Sequence, residues 1–150
     1  MLETSSVKVP TLFDMPVIAS TGGEVRRVLR HRDDGFHGFK EAYVSKINNG
    51  CCRGWKCHTL MTCNLTVVFG QVRFVIRYAN PSDKGFQFEE FLLSASQNQR
   101  LTIPPGFFFA FQGTGGVGGI VLNIANEVHD PEETITMSLE DIPYDWPEQQ

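Results

Sequence analysis

The sequence lacks the features that would assign it to a membrane, to the secretory route or to nucleic acid. Its longest apolar runs, at 107–111 and in the glycine-broken stretch 117–125, fall short of the roughly 20 residues of a membrane-spanning helix. The N-terminus has no basic start followed by an apolar stretch, so we expect no signal peptide. Acidic residues outnumber basic ones, 17 to 13, which excludes a chain-wide basic field for nucleic acid. We therefore expect a cytoplasmic protein that binds neither membrane nor nucleic acid.

The four cysteines also lack the spacing of a zinc site. Cys51, Cys52, Cys57 and Cys63 are clustered, but no pair has the two-residue gap of a zinc knuckle. Convergence of three or four thiols on a metal remains one alternative. Reduced thiols that act as small apolar residues in strands are the simpler interpretation.

Strands and turns account for nearly the whole pattern. A chain of 150 residues, 41% of them hydrophobic, is long enough for a single domain, 1–150, with its own core. No stretch gives a convincing helix, and residues 134–136 favour a strand. Alternating β-branched and aromatic residues, separated by turn signals, predict strands at 25–29, 42–47, 65–69, 72–78 and 86–93. This spacing predicts an all-β sandwich or barrel.

Two glycine-containing segments are interpreted as connections between strands. Gly70-Gln71 is expected to join two strands. The segment from Gly113 to Gly118 matches G-x-G-x-x-G, but a dinucleotide site needs a helix after that motif, and here a strand-like run follows. We predict a hairpin loop there, not a nucleotide cradle.

The densest chemical cluster lies around Lys56 and His58. In a strand these two side chains share a face, and the cation lowers the pKa of the imidazole, which favours a neutral base. Tyr43 and Glu41 share a face of the preceding predicted strand and could add a proton donor and a carboxylate. The alternative is a surface strand with a solvated lysine, a structural histidine and a packing tyrosine.

Several ordered pieces resemble the cupin family of sugar-nucleotide enzymes that includes dTDP-4-dehydrorhamnose 3,5-epimerase. They cover about 24–147 and are, in chain order, Arg53-Gly54, 65–75 around Gly70, Leu93-Ser94, 103–107 and 142–147. The resemblance implies a cupin-type jelly-roll barrel, a homodimer, a nucleoside-diphosphate sugar in the barrel mouth and no cofactor.

The residues also argue against a bound metal. Metal-binding cupins use two histidines and a glutamate on one strand pair and another histidine later in the chain. Here only His58 stands at the first place, and Phe109 stands where the later histidine belongs. One imidazole is too few ligands for a first-row metal, so we expect no metal site.

The resemblance carries some catalytic positions over and not others. The epimerase tyrosine falls at Leu122, the aspartate that orients the base falls near Ser138 or Leu139, and only Arg53 is retained cleanly. The related dTDP-sugar 3,4-ketoisomerases have R-G-x-H-x-H on the same strand. In that alignment Lys56 takes the place of the first histidine and His58 matches the second, while Tyr43 corresponds to a tyrosine on the preceding strand.

These observations predict an epimerase-type isomerase acting on a nucleoside-diphosphate 4-keto-6-deoxy sugar. His58 would be the base, Lys56 the enolate stabiliser and Tyr43 the proton donor. Arg53 would hold the diphosphate, which requires a β-bulge at Gly54 because simple alternation places Arg53 opposite His58. The remaining substrate-binding candidates are Glu41, Phe109 and Asn123.

Three other functions remain open. The first is a 3,4-ketoisomerase. The second is a cupin that binds a sugar nucleotide without turning it over. The third is a non-catalytic subunit, in which Phe107, Phe108 and Phe109 would plug the mouth.

Overall fold

Strands dominate the part of the chain that the structure describes, residues 6–79 and 85–149 of a computed structural model. Apart from one turn of 3-10 helix at Pro131–Glu133, no helix occurs in these residues, and none could cross a membrane. The strands are β1 (Thr11–Asp14), β2 (Val17–Ser20), β3 (Gly23–Arg26), β4 (Glu41–Ile47), β5 (Cys52–His58), β6 (Cys63–Ala79), β7 (Phe86–Ser94), β8 (Gln99–Ile103), β9 (Phe108–Ala125) and β10 (Thr134–Thr136). The predicted all-β class is confirmed.

Two long strands organise the sheet. β6 and β9 pair with each other antiparallel, and each changes its second partner along its length. β6 pairs first with β8 and then with β7, while β9 pairs first with β5 and then with β4. β1 continues the sheet beyond β8, β10 continues it beyond β5, and β2 and β3 form a separate hairpin.

The glycine segments are bends within strands, which corrects the sequence prediction for both. Gly70-Gln71 lies inside β6 and does not separate two strands, and the segment from Gly113 to Gly118 lies inside β9 and is not a hairpin loop. The register between β6 and β9 shifts at this point. A Cβ on Gly70 would lie 1.9 Å from the carbonyl oxygen of Gly118, so glycine allows the two backbones to approach. Sequence pattern alone gave turn signals because such bends use the same residue type as turns.

The buried side chains form two clusters on opposite faces of the sheet. One face of β6 contributes Val72, Phe74 and Ile76 to the larger cluster, whereas Val75 points to the other face, as the alternation predicts. The smaller cluster is built on Trp55, which is fully buried and donates from Nε1 to the carbonyl oxygen of Ile142 at 3.0 Å. The C-terminal segment is thereby held against the sheet.

The β-bulge expected at Gly54 is present. Arg53 pairs with Phe111 and Lys56 with Phe109, so Gly54 and Trp55 together lie opposite the single residue Ala110. The extra residue reverses the alternation, and it returns Lys56 to the face that carries Arg53. Gly54 has a φ of +144°, and a Cβ there would lie 2.3 Å from the Cβ of Ala110.

We predict that Gly54→Ala lowers the free energy of unfolding by about 1–3 kcal/mol, because the added methyl group overlaps Ala110 in a packed strand pair. Gly23→Ala is the matched control, since no atom lies within 4 Å of a Cβ at that position. It should change stability by less than about 0.5 kcal/mol. Urea unfolding of both variants measures the difference, and equal stabilities would contradict the role assigned to Gly54.

Candidate active site

A cavity of about 350 Å³ lies between strands β4, β5, β6 and β9. Its wall combines titratable side chains with an apolar surface that includes Leu65, Phe74, Phe111 and Val121. Six of the seven candidate site residues line it: Tyr43, Arg53, Lys56, His58, Phe109 and Asn123. The fold therefore brings these side chains together from three strands.

Glu41 is the candidate that the structure separates from this cavity. It occupies the first position of β4, and the residues that line the cavity do not include it. Its carboxylate accepts a hydrogen bond from the backbone N–H of His129 at 2.6 Å. Glu41 lies at the strand end, two residues before Tyr43, and its contact with substrate stays a prediction.

His58 is held by a carboxylate that the sequence analysis missed. The imidazole is 4% exposed, and its Nδ1 makes a short hydrogen bond with Oε1 of Glu133. Glu133 is itself buried at the end of the 3-10 helix, and its Oε2 accepts from the backbone N–H groups of Leu60 (3.1 Å) and Met61 (3.2 Å). Its own backbone oxygen accepts from the N–H of Thr59 at 2.8 Å, so the carboxylate is fixed from several directions.

The environment keeps this pair as carboxylate and neutral imidazole. Burial opposes ionisation of Glu133, but hydrogen bonds from His58, Leu60 and Met61 outweigh it and lower the pKa of the carboxyl to about 2. Burial lowers the pKa of His58 below its usual 6.5; the charge of Lys56 acts in the same direction, against the opposing contact with Glu133. The proton on Nδ1 therefore faces Glu133, and Nε2 carries a lone pair. Nε2 is buried and has no hydrogen-bond partner among the described residues.

The carboxylate beside the base is that of Glu133. The positions at which the resemblance placed the family's aspartate, Ser138 and Leu139, lie elsewhere. Leu139 packs against the smaller buried cluster, and Ser138 hydrogen-bonds with Asp141 near the C-terminus. β10 pairs with β5 so that Thr134 lies opposite His58, and this register places Glu133 at the imidazole. The available sequence signal was Asp130-Pro131, where Asp130 caps the 3-10 helix by accepting from the N–H of Glu132.

Two cations extend along the same wall as the imidazole. The bulge places Lys56 and Arg53 against Phe109 and Phe111, and all four residues line the cavity. The guanidinium carbon of Arg53 lies 6.0 Å from the centroid of the Phe111 ring, and Arg53 is exposed. Lys56 forms no ion pair within residues 6–79 and 85–149. Both charges are available to an anionic ligand.

Tyr43 is the phenol of the site, and Asn123 lies next to it. The Oη of Tyr43 accepts a hydrogen bond from Nδ2 of Asn123 at 2.9 Å. Burial raises the pKa of Tyr43 above its usual 10.0, so the phenol is protonated at neutral pH.

The aromatic run 107–109 does not plug the cavity. Phe109 lines it, whereas Phe108 packs against the smaller cluster and Phe107 makes an edge contact with Tyr78 at 5.6 Å between ring centroids. The arrangement leaves room for a ligand beside His58.

Metal-ligating side chains are not clustered in the described part of the chain. No group of three or more His, Cys, Asp or Glu side chains there is arranged to hold a metal ion. The four cysteines are free thiols: Cys57 and Cys63 are buried in strands, Cys52 is half-buried and Cys51 is exposed.

Comparison with known proteins identifies similar solved structures. No protein-family model matches the chain, and no curated protein matches it by sequence. A dTDP sugar isomerase from Desulfovibrio desulfuricans is 26% identical with a TM-score of 0.82, over 93% of this chain and 92% of that one. The 3,5-epimerase of dTDP-4-dehydrorhamnose from Bacillus anthracis is 20% identical with a TM-score of 0.75, over 94% and 86%. A 3,4-ketoisomerase mutant from Thermoanaerobacterium thermosaccharolyticum is 18% identical with a TM-score of 0.68, over 86% and 88%.

These similarities confirm the jelly-roll expected from the sequence and the family that the ordered motifs indicated. With the same fold over nearly the whole of both chains, this chain is similar to the cupin-fold dTDP-sugar isomerases and epimerases.

Proposed function

We propose that the protein is an epimerase-type isomerase acting on a nucleoside-diphosphate 4-keto-6-deoxy sugar. The observation that carries this proposal is the state of His58 inside the cavity. Its Nδ1 is taken by Glu133, while its buried Nε2 has no partner among the described residues. A neutral imidazole with one free nitrogen in a ligand-sized cavity is a proton acceptor ready for substrate.

A ketone makes the hydrogens on its neighbouring carbons acidic enough for such a base. Nε2 of His58 removes one of these protons, and the electrons of the broken C–H bond form an enolate. The ammonium group of Lys56, on the same wall, stabilises the negative charge on the enolate oxygen. No oxidation or reduction is needed, so this step uses only side chains of the chain itself.

Tyr43 supplies the proton that completes the reaction. By the resemblance, the family's tyrosine falls at Leu122, which pairs with Val44 on the neighbouring strand. Tyr43 reaches the cavity from β4 instead, and its phenol is protonated because burial raises its pKa. Return of a proton to the opposite face of the same carbon inverts that centre and gives an epimer.

Arg53 and the aromatic wall are suited to the nucleotide half of the substrate. An exposed guanidinium at the cavity binds a diphosphate through charge-assisted hydrogen bonds. Phe109 and Phe111 provide aromatic surface beside it. In similar proteins, dTDP or a dTDP sugar occupies the solved structure.

We further propose that the enzyme works as a cytoplasmic homodimer in deoxysugar or polysaccharide biosynthesis. Exposed apolar side chains on the outer face of the sheet suit a dimer interface there: Val44 is 63% exposed and Phe69 54% exposed.

We predict that His58→Ala abolishes deuterium uptake beside the ketone when the protein is mixed with dTDP-4-keto-6-deoxyglucose in deuterated water. The expected loss is about a hundredfold or more, the usual contribution of a general base. His37→Ala is the matched control, since that imidazole is exposed and lies outside the cavity. NMR follows the exchange, and undiminished uptake by His58→Ala would remove this residue from the mechanism.

The same experiment separates the alternative functions. An inverted centre beside the ketone identifies the epimerase. A carbonyl moved from C4 to C3 identifies a 3,4-ketoisomerase, and saturable binding without exchange identifies a binding protein.

We predict opposite pH shifts for two neighbours of His58. The acidic limb of kcat/KM reports the pKa of the free base, because a protonated imidazole is inactive. Glu133→Gln should move this limb to lower pH, since Glu133 raises the pKa of His58. Lys56→Met should move it to higher pH, since the Lys56 charge lowers that pKa.

Lys46→Met is the control for the pH experiment. It removes the same charge from an exposed position on β4 and should leave the limb where it is in the wild type. If the acidic limb moved in the same direction in both Glu133→Gln and Lys56→Met, or did not move in either variant, the assigned electrostatics would be contradicted.

A further inference from the structure

The side-chain amide of Asn123 is fixed by hydrogen bonds at both ends. Asn123 is 2% exposed, and its Oδ1 accepts from the backbone N–H of Asn64 at 3.1 Å. Its Nδ2 donates to the Oη of Tyr43 at 2.9 Å. A backbone N–H can only donate, so the contact with Asn64 identifies which end of the amide carries the oxygen. The amide nitrogen therefore faces Tyr43.

This orientation determines the polarity of the Tyr43 hydroxyl. An amide nitrogen cannot accept a hydrogen bond, so the phenol oxygen must be the acceptor in this contact. The hydroxyl proton then points elsewhere, and no described residue accepts it. Because Tyr43 lines the cavity, that proton is available to a bound ligand.

Asn64 is anchored in a buried polar network of its own. Its Oδ1 accepts from Arg100 and from Thr102, and its Nδ2 donates to the carbonyl oxygen of Gly35 at 3.0 Å. Arg100 is 1% exposed. The backbone donor that orients Asn123 is therefore part of a rigid, fully buried arrangement on β6 and β8.

We propose that Asn123 is a positioning residue that makes Tyr43 a proton donor, instead of a residue that binds substrate. Its Oδ1 accepts from Asn64 and its Nδ2 donates to Tyr43, and its side chain also hydrogen-bonds with the buried Cys63 thiol, so both ends of the amide are engaged within the protein. This role rests on the proposed function, in which Tyr43 protonates the enolate.

The proton transfer explains why a hydrogen-bond donor beside the Tyr43 oxygen would stabilise the charge that forms there. His58 has taken a proton from carbon, and the enolate carbon then forms a new C–H bond with the hydroxyl proton of Tyr43. The electrons of the broken O–H bond stay on the phenolate oxygen. The Nδ2–H of Asn123 already points at that oxygen, and its hydrogen bond strengthens as the charge develops. Solvent afterwards returns a proton to Tyr43 and removes one from His58.

A double-mutant cycle of Tyr43→Phe and Asn123→Ala in deuterated water tests this role. The measured quantity is the ratio of product to deuterated, unreacted dTDP-4-keto-6-deoxyglucose. Each single variant should lower this ratio by about tenfold or more, because protonation is impaired while proton removal by His58 continues. The double variant should match Tyr43→Phe, since Asn123 acts only through the phenol.

Asn123→Asp keeps the shape of the side chain and covers the case in which Asn123→Ala does not fold. Its carboxylate accepts the Tyr43 proton, which reverses the polarity of the contact, so the ratio should again fall. An unchanged ratio in a folded Asn123 variant, or an equal loss from Asn123→Ala with and without Tyr43, would overturn the proposal. Absence of exchange in the wild type would overturn the proposed function and this role with it.

Discussion

The buried contact between Glu133 and His58 determines what the candidate site can do. The carboxylate is held by two backbone N–H groups and by the imidazole, and these contacts lower its pKa to about 2 in spite of burial. It remains charged, and it orients the Nδ1 proton of His58 toward itself. Burial of the imidazole then favours its neutral form. A base with a free nitrogen at neutral pH follows from this one pair, and the proposed chemistry begins with proton removal at that nitrogen.

Strand β5 brings the other reactive groups to the same wall. It is held between β9 and β10, and its bulge at Gly54 turns Arg53 and Lys56 to the face of His58. Trp55, which lies between them in the sequence, is buried in the smaller cluster under the C-terminal segment. The extra residue in β5 therefore lets Trp55 pack on the face away from the cavity, while Arg53, Lys56 and His58 all line the cavity.

The sequence predicted the fold class and most strands, because alternation and turn residues are local signals. The bulge at Gly54 entered only as a requirement of the role that the resemblance gave to Arg53. It also identified His58, Lys56 and Tyr43 as neighbours, since their strands could be located. Glu133 was missed because its contact with His58 spans 75 positions and depends on the register of the short strand β10. The glycine segments in β6 and β9 were misassigned as connections, because only the close approach of the two backbones shows why glycine is needed there. The role of Asn123 depends on which end of its amide faces Tyr43, and a sequence does not contain that information.

The most direct test of this account is the protonation state of His58, measured by 15N NMR of histidine-labelled protein near neutral pH, with His58→Ala used to assign the signals. We expect a neutral ring with the proton on Nδ1 and none on Nε2, and we expect this preference to be lost in Glu133→Gln. A doubly protonated ring, or a neutral ring with its proton on Nε2, would contradict the central claim.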